Sequence, residues 1–229
     1  MIPSETIAGD RAYAIATAVR AAAFDDDLLR VGEPQEGWQR ARVDPMAVVD
    51  AAPGVTLGER WKLVAHQWYR EGDGIGVVFA VPIDAPDASP VLHDDGRFDL
   101  PASAASSLSV TLYPSGSEES FLARGLLLRE LHEIGALWHG ARWGNHDLVT
   151  GPASLPDDAG SWAWEGPAPE SFDPVMEVDA VGNRRVTFFT RTGLGSERIV
   201  EHADVHRLRD GSVTSSHRVV AHGTGGWVP

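Results

Sequence analysis

His132 and His139 are the residues whose placement first invites a chemical reading. They stand seven positions apart in the stretch Ser117 to Gly140, SEESFLARGLLLRELHEIGALWHG, with Gly135 between them and Gly125 and Phe121 before them. At about 100° per residue these positions and Leu128 share one narrow helical sector. Two glycines on that side admit a neighbouring backbone or a ligand, at about 1 kcal/mol each relative to alanine. Two helical turns separate the histidine Cα atoms by roughly 10 Å, too far for an easy chelating pair. A metalloprotease helix carries its second histidine at i+4, and Ala136 stands there, so His132-Glu133 is no zinc motif. What remains is imidazole chemistry: hydrogen bonding, or general acid–base catalysis near neutral pH.

The next residues, Ala141-Arg142-Trp143-Gly144-Asn145-His146-Asp147, are dense in functional types. A return of the chain after Gly140 brings His146 or Asp147 within reach of His139, a pairing that orients and tunes an imidazole. The expected catalytic set is therefore His139, His132, His146 and Asp147, with Trp138, Trp143, Gly135 and Arg142 contacting a ligand. Tryptophan ordinarily means core; Trp138, Trp143, Trp162 and Trp164 also suit a rim around a flat or apolar ligand.

Farther on, His202, Asp204 and His206 alternate along one strand face, in residue type a divalent-metal set. The plainer reading is an exposed polar face, with Ile199, Ala203 and Val205 turned towards the core, and no metal ligand is assigned. Gly72, Gly74 and Gly76 precede a strand pattern rather than the helix a phosphate loop needs. No nucleophile elbow, Walker loop or dinucleotide fingerprint occurs, so the cofactor stays unknown.

The element that must position these groups is the 117–140 helix. Ser117 is a suitable N-cap, Glu118 and Glu119 complement the dipole, and Gly140 is a stop signal. Ala123, Leu127, Leu131, Ile134 and Trp138 form an apolar stripe, widened by Leu122, Leu126 and Leu137. A first helix is expected from Ser4 to Phe24, and a short one from Asp44-Pro45 to Val49. Trp61–Arg70 and Ile75–Ile83 read as a hairpin, Asp84–Ser107 as surface loop, and Leu108–Tyr113 as a short strand. From Val175 the pattern is an antiparallel meander turned at Gly182-Asn183, Gly193–Ser196 and Asp210-Gly211. The expectation is one α+β domain over 1–229: an antiparallel sheet, curled or barrel-like, around a central helix 117–140, with an N-terminal helix outside. An acidic helix-and-hairpin part, 1–113, precedes the central helix and meander of 114–229.

Of 229 residues, 43% are hydrophobic and 23% charged, as in an ordinary globule. With no cysteine, thiolate nucleophiles, disulfides and cysteine zinc sites are excluded. MIPSETIAGD lacks signal-peptide chemistry and no apolar run reaches a span of ~20 residues, so a soluble, cytoplasmic protein with no membrane contact is expected. The net charge is −14, and the chain before Val175, where 12 basic residues face 27 acidic ones, carries −15 against +1 after it. Such a surface repels phosphate backbones, and no nucleic-acid partner is expected. The functional expectation is a small-molecule pocket beside the central helix, for binding or histidine-assisted acid–base catalysis. Its rival is a non-catalytic acidic module that meets a protein partner.

Overall fold

The computed structural model describes residues 4–23, 37–70, 73–86, 88–93, 97–134, 146–151, 154–155, 162–193 and 195–226. The chain opens with a short strand, β1 (Ser4–Thr6), and not with helix; helix α1 (Gly9–Ala23) follows. Ala12, Ile15, Val19 and Ala23 form its buried side at helical spacing. Strand β2 (Gln39–Arg40) leads to α2 (Pro45–Asp50), whose N-cap Asp44 accepts a 2.9 Å hydrogen bond from Met46 N. Then come β3 (Val55–Leu57), β4 (Trp61–Arg70) and β5 (Asp73–Pro82), the last two paired along their whole length with β2 beside β4.

The stretch expected to be loop carries a small hairpin, β6 (Val91–Leu92) with β7 (Phe98–Asp99). Leu108–Thr111 forms a 3-10 turn where a strand was expected, and only β8 (Leu112–Pro114) is extended, pairing with β3. Thr111 Oγ1 donating to the Leu108 carbonyl at 2.8 Å closes that turn.

Helix α3 (Glu118–Glu133) is the predicted central rod, capped by Ser117, whose hydroxyl accepts from Ser120 N. Gly135 to Gly140, the predicted remainder, lie outside the described residues. Leu122, Ala123, Leu127, Leu131 and Ile134 are essentially inaccessible and share one core with α1, α2 and the β4–β5 hairpin.

The C-terminal part is a curled antiparallel sheet built from β9 (His146–Val149), β10 (Ala163–Trp164), β11 (Val175–Val178), β12 (Arg184–Thr192), β13 (Arg198–His206) and β14 (Val213–His222). The order is β1-β11-β12-β13-β14-β10. Beside β12, β11 pairs with Arg184–Thr187 and β9 with Phe189–Thr192, so two strands share one edge. Glycines with positive φ, Gly182, Gly195 and Gly211, sit at the three hairpin turns. The sheet curls as a half-barrel with α3 packed against its inner face. On the outer face, Val149, Trp162, Phe172, Phe189, Ile199 and Ala221 form a second apolar cluster, so Trp162 is core. Among the described residues no helix is long and apolar enough to cross a membrane.

Candidate functional site

Alternation along β12 and β13 decides what faces α3. Val186, Phe188, Thr190 and Thr192 point inward from β12, opposite Asp204, His202, Val200 and Arg198 of β13. Leu148 and His146 of β9 pair with Thr190 and Thr192 and continue that face. The polar side of β13 is therefore the covered side: His202, Asp204 and His206 are all buried. This reverses the expected polarity. The opposite side is apolar as well, because Ile199 packs in the second cluster, and β13 is consequently buried on both faces.

Gly125 explains how the helix comes so close. A Cβ there would stand 2.4 Å from Asp204 Oδ2, an impossible approach. One turn on, Arg129 donates from Nη1 to Oδ2 at 2.5 Å and from Nη2 to Oδ1 at 2.7 Å. Burial alone would raise the Asp204 carboxyl, but the Arg129 hydrogen bonds outweigh it and hold it below the usual carboxylate range. The same guanidinium lies 5.1 Å from the Phe188 ring centroid, a cation–π contact. Both Asp204 oxygens being engaged, the His202-Asp204-His206 row is organised around arginine rather than a metal.

One turn towards the helix start, buried Arg124 meets only neutral acceptors. It donates to His206 Nδ1 at 3.1 Å, to the Ser109 carbonyl at 2.6 Å and to the Gly211 carbonyl. Burial pushes its pKa down to about 10. A guanidinium can only donate, so His206 Nδ1 must accept and its proton sits on Nε2. Burial first, then Arg124, depresses His206 to about 4, keeping it neutral at pH 7. Phe121 packs edge-on against it at 5.2 Å.

The other end of the row is richer in titrating groups. His202 Nε2 lies 2.8 Å from Thr190 Oγ1, and its ring stacks on Phe188 at 5.0 Å, 6.2 Å from His217. Burial and then Arg129 depress it to about 3. Half-buried His146 is depressed to about 4, by burial and then by Arg20, Arg198 and, more weakly, Arg129; Asp147 opposes them. Arg20, from α1, bonds the His146 carbonyl, Asp147 at 3.3 Å and Glu130 at 3.2 Å, joining α1, α3 and β9. Two neutral imidazoles thus stand within electrostatic reach of each other and of several guanidinium groups. Both are weak bases, and at His146 the charges of Arg20, Arg198 and Arg129 outweigh that of Asp147, a balance that favours an anion.

Of the sequence-derived candidates, His146 joins this inner face. Asp147 alternates outward on the edge strand, where it is exposed and bound to Arg20. His132 is exposed on the last turn of α3. Gly135, Trp138, His139, Arg142 and Trp143, and with them the expected pairing to His139, lie outside the described residues. Sequence reasoning passed over Arg124, Arg129 and Thr190, and weighed His202 only within a metal set rejected in favour of an exposed polar face. Arg129 was accessible to it: one turn after Gly125, it occupies the same helical sector.

Two further features are separate. His93, Arg97, Phe98 and Asp99 line a depression of about 500 Å³ at the β6–β7 hairpin, with a His93–Asp99 pair at 2.9 Å. It shares no residue with the inner-face row. At the β12–β13 turn, buried Glu197 accepts from Arg191 at 2.7 Å and Gly225 N at 3.3 Å, and a Cβ on Gly223 would sit 2.4 Å from its carboxylate. The glycines after His222 thus serve close packing. No family model, curated protein or solved structure matches this chain.

Proposed function

We propose that the inner face of the curled sheet, beside the C-terminal half of α3, binds a small negatively charged molecule. The observation that carries this reading is the burial of Thr190, Thr192, His202, Asp204 and His206 on one inner face, where a helix–sheet core is ordinarily carbon. The charge class follows from the balance at His146, where Arg20, Arg198 and Arg129 together outweigh Asp147, although Arg20 and Arg129 also hold Glu130 and Asp204. An incoming carboxylate or phosphate gains from that field and in turn favours protonation of the imidazole. Any proton transfer at such a site falls to His146 or His202, each a weak base until the charge of a bound anion raises it. Residues 135–145 connect the end of α3 to β9, the two elements flanking this face.

A melting-temperature screen over phosphate- and carboxylate-bearing metabolites tests it. A true ligand at a hundred times its Kd adds about 2.7 kcal/mol, raising the melting temperature by roughly 5–10 °C. His146→Ala should remove that shift while the unliganded protein melts nearly as before. A shift that survives His146→Ala, or a screen in which no anion moves the transition, defeats the reading.

A further inference from the structure

The two edges of the seven-stranded sheet are finished differently. At one end β1 is three residues long, the short kind of edge that resists pairing. At the other, β14 runs for ten residues, and β10 pairs with it only at Ala221 and His222, with Glu165 N reaching the Val220 carbonyl at 3.0 Å. Among the described residues nothing pairs with the outer side of 213–219, and Thr214 to Arg218 are exposed. Safeguards are few: Val213-Thr214-Ser215-Ser216-His217-Arg218-Val219 contains no proline and no lysine, and Arg218 is its one permanent charge. The sheet's one recorded register shift, between Ile199 and Val200, falls beyond this segment.

The segment is also self-complementary. Paired antiparallel about Ser216, it sets Ser215 against His217, Thr214 against Arg218, and Val213 against Val219. Small hydroxyl residues meet at the centre and valines at both ends, with no like charges opposed. Arg218 is already neutralised within its own chain by Glu201, at 3.1 and 2.8 Å. We infer that β14 is the interaction surface for a second copy of this chain, joined edge to edge about a two-fold axis through Ser216, so that the two sheets run on as one.

Cysteine substitution tests the register cleanly, because the chain has no cysteine of its own. Ser216→Cys places two thiols across the axis, within the ~4.4–6.8 Å Cα separation a disulfide spans. Thr214→Cys lies on the same exposed face, but its mate is four residues away along the strand, roughly 13 Å. Under mild oxidation, Ser216→Cys should give a covalent dimer and Thr214→Cys should not. In sedimentation velocity the unmodified protein should dimerise with rising concentration. Ser216→Lys, which opposes two ammonium groups at the axis, should remain monomeric with an unchanged melting temperature. The inference is overturned by equal cross-linking of both cysteine variants, or by a monomer at every concentration. Protection from exchange in the monomer of those 213–219 amides that point away from β13 overturns it too, since the chain would then cover its own edge.

Discussion

On one side of α3, Leu122, Ala123, Leu127, Leu131 and Ile134 meet α1, α2 and the β4–β5 hairpin through carbon alone. On the other, Phe121, Gly125 and Arg129 meet a sheet face of histidine, aspartate and threonine. Both sides are buried, yet they obey different rules. The carbon side needs volume and shape, and tolerates exchange among hydrophobic residues of similar size. On the polar side an unmatched buried group costs more than the bond it would have made, and Arg124 Nε and His206 Nε2 have no partner among the described residues. A chain that only needed to fold could have used carbon twice.

Acid should separate the two sides most sharply. His146 and His206 are depressed to about 4 and His202 to about 3, while the unfolded chain protonates each near 6.5. Above pH ~6.5 neither state binds these protons. As pH falls from there towards 4 the unfolded state binds up to three more than the folded one, at about 1.4 kcal/mol per proton per pH unit. Denaturant melts at successive pH values should therefore show stability intact near neutrality and falling by several kcal/mol before pH 4. Equal stability at pH 7 and pH 5 would mean that the polar side is hydrated and the contrast false.

Single truncations come next. Asp204→Ala strands Arg129 and should cost about 3–5 kcal/mol, whereas replacing the pair together, Asp204→Leu with Arg129→Met, should recover most of that loss. On the carbon side Leu127→Ala should cost about 2–5 kcal/mol, and Leu127→Met under about 1.5, with no partner substitution able to restore the first. Urea unfolding distinguishes these patterns through the coupling energy of each pair. If the double variant is no better than Asp204→Ala, the ion pair is not the organising contact.

Gly125→Ala should have a smaller effect than either truncation and the most telling sign. Alanine favours a helix by about 1 kcal/mol, so a glycine there for no reason would make the variant more stable. The 2.4 Å approach to a carboxylate held by Arg129 predicts a net loss of about 1–3 kcal/mol instead.

The same contrast explains what could be read from the chain and what could not. The stripe Ala123-Leu127-Leu131-Ile134, the Ser117 cap, the Asp44-Pro45 helix start and the glycine turns of the meander are local signals, and all recur in the fold. The glycine sector of α3 was also visible: its Gly125 opens onto Asp204, while Gly135 lies outside the described residues. What failed were inferences that depend on a distant element. Ser4–Thr6 is a strand because β11 lies beside it, not because of its own residues. Alternation showed that His202, Asp204 and His206 share a face, but which face α3 would cover depended on the curl of the sheet. With Ile199 and Ala203 opposite, both faces were destined for burial, and apolar residues could not mark the inside.

The most direct measurement follows the histidine ring carbons by NMR through a pH titration of the unliganded protein. The His202 and His206 rings should hold neutral chemical shifts from pH 8 to about 5, with His206 carrying its proton on Nε2. Midpoints near 6.5 for both would show that water reaches the row beneath α3, and the account of a dry, arginine-ordered inner face would be wrong.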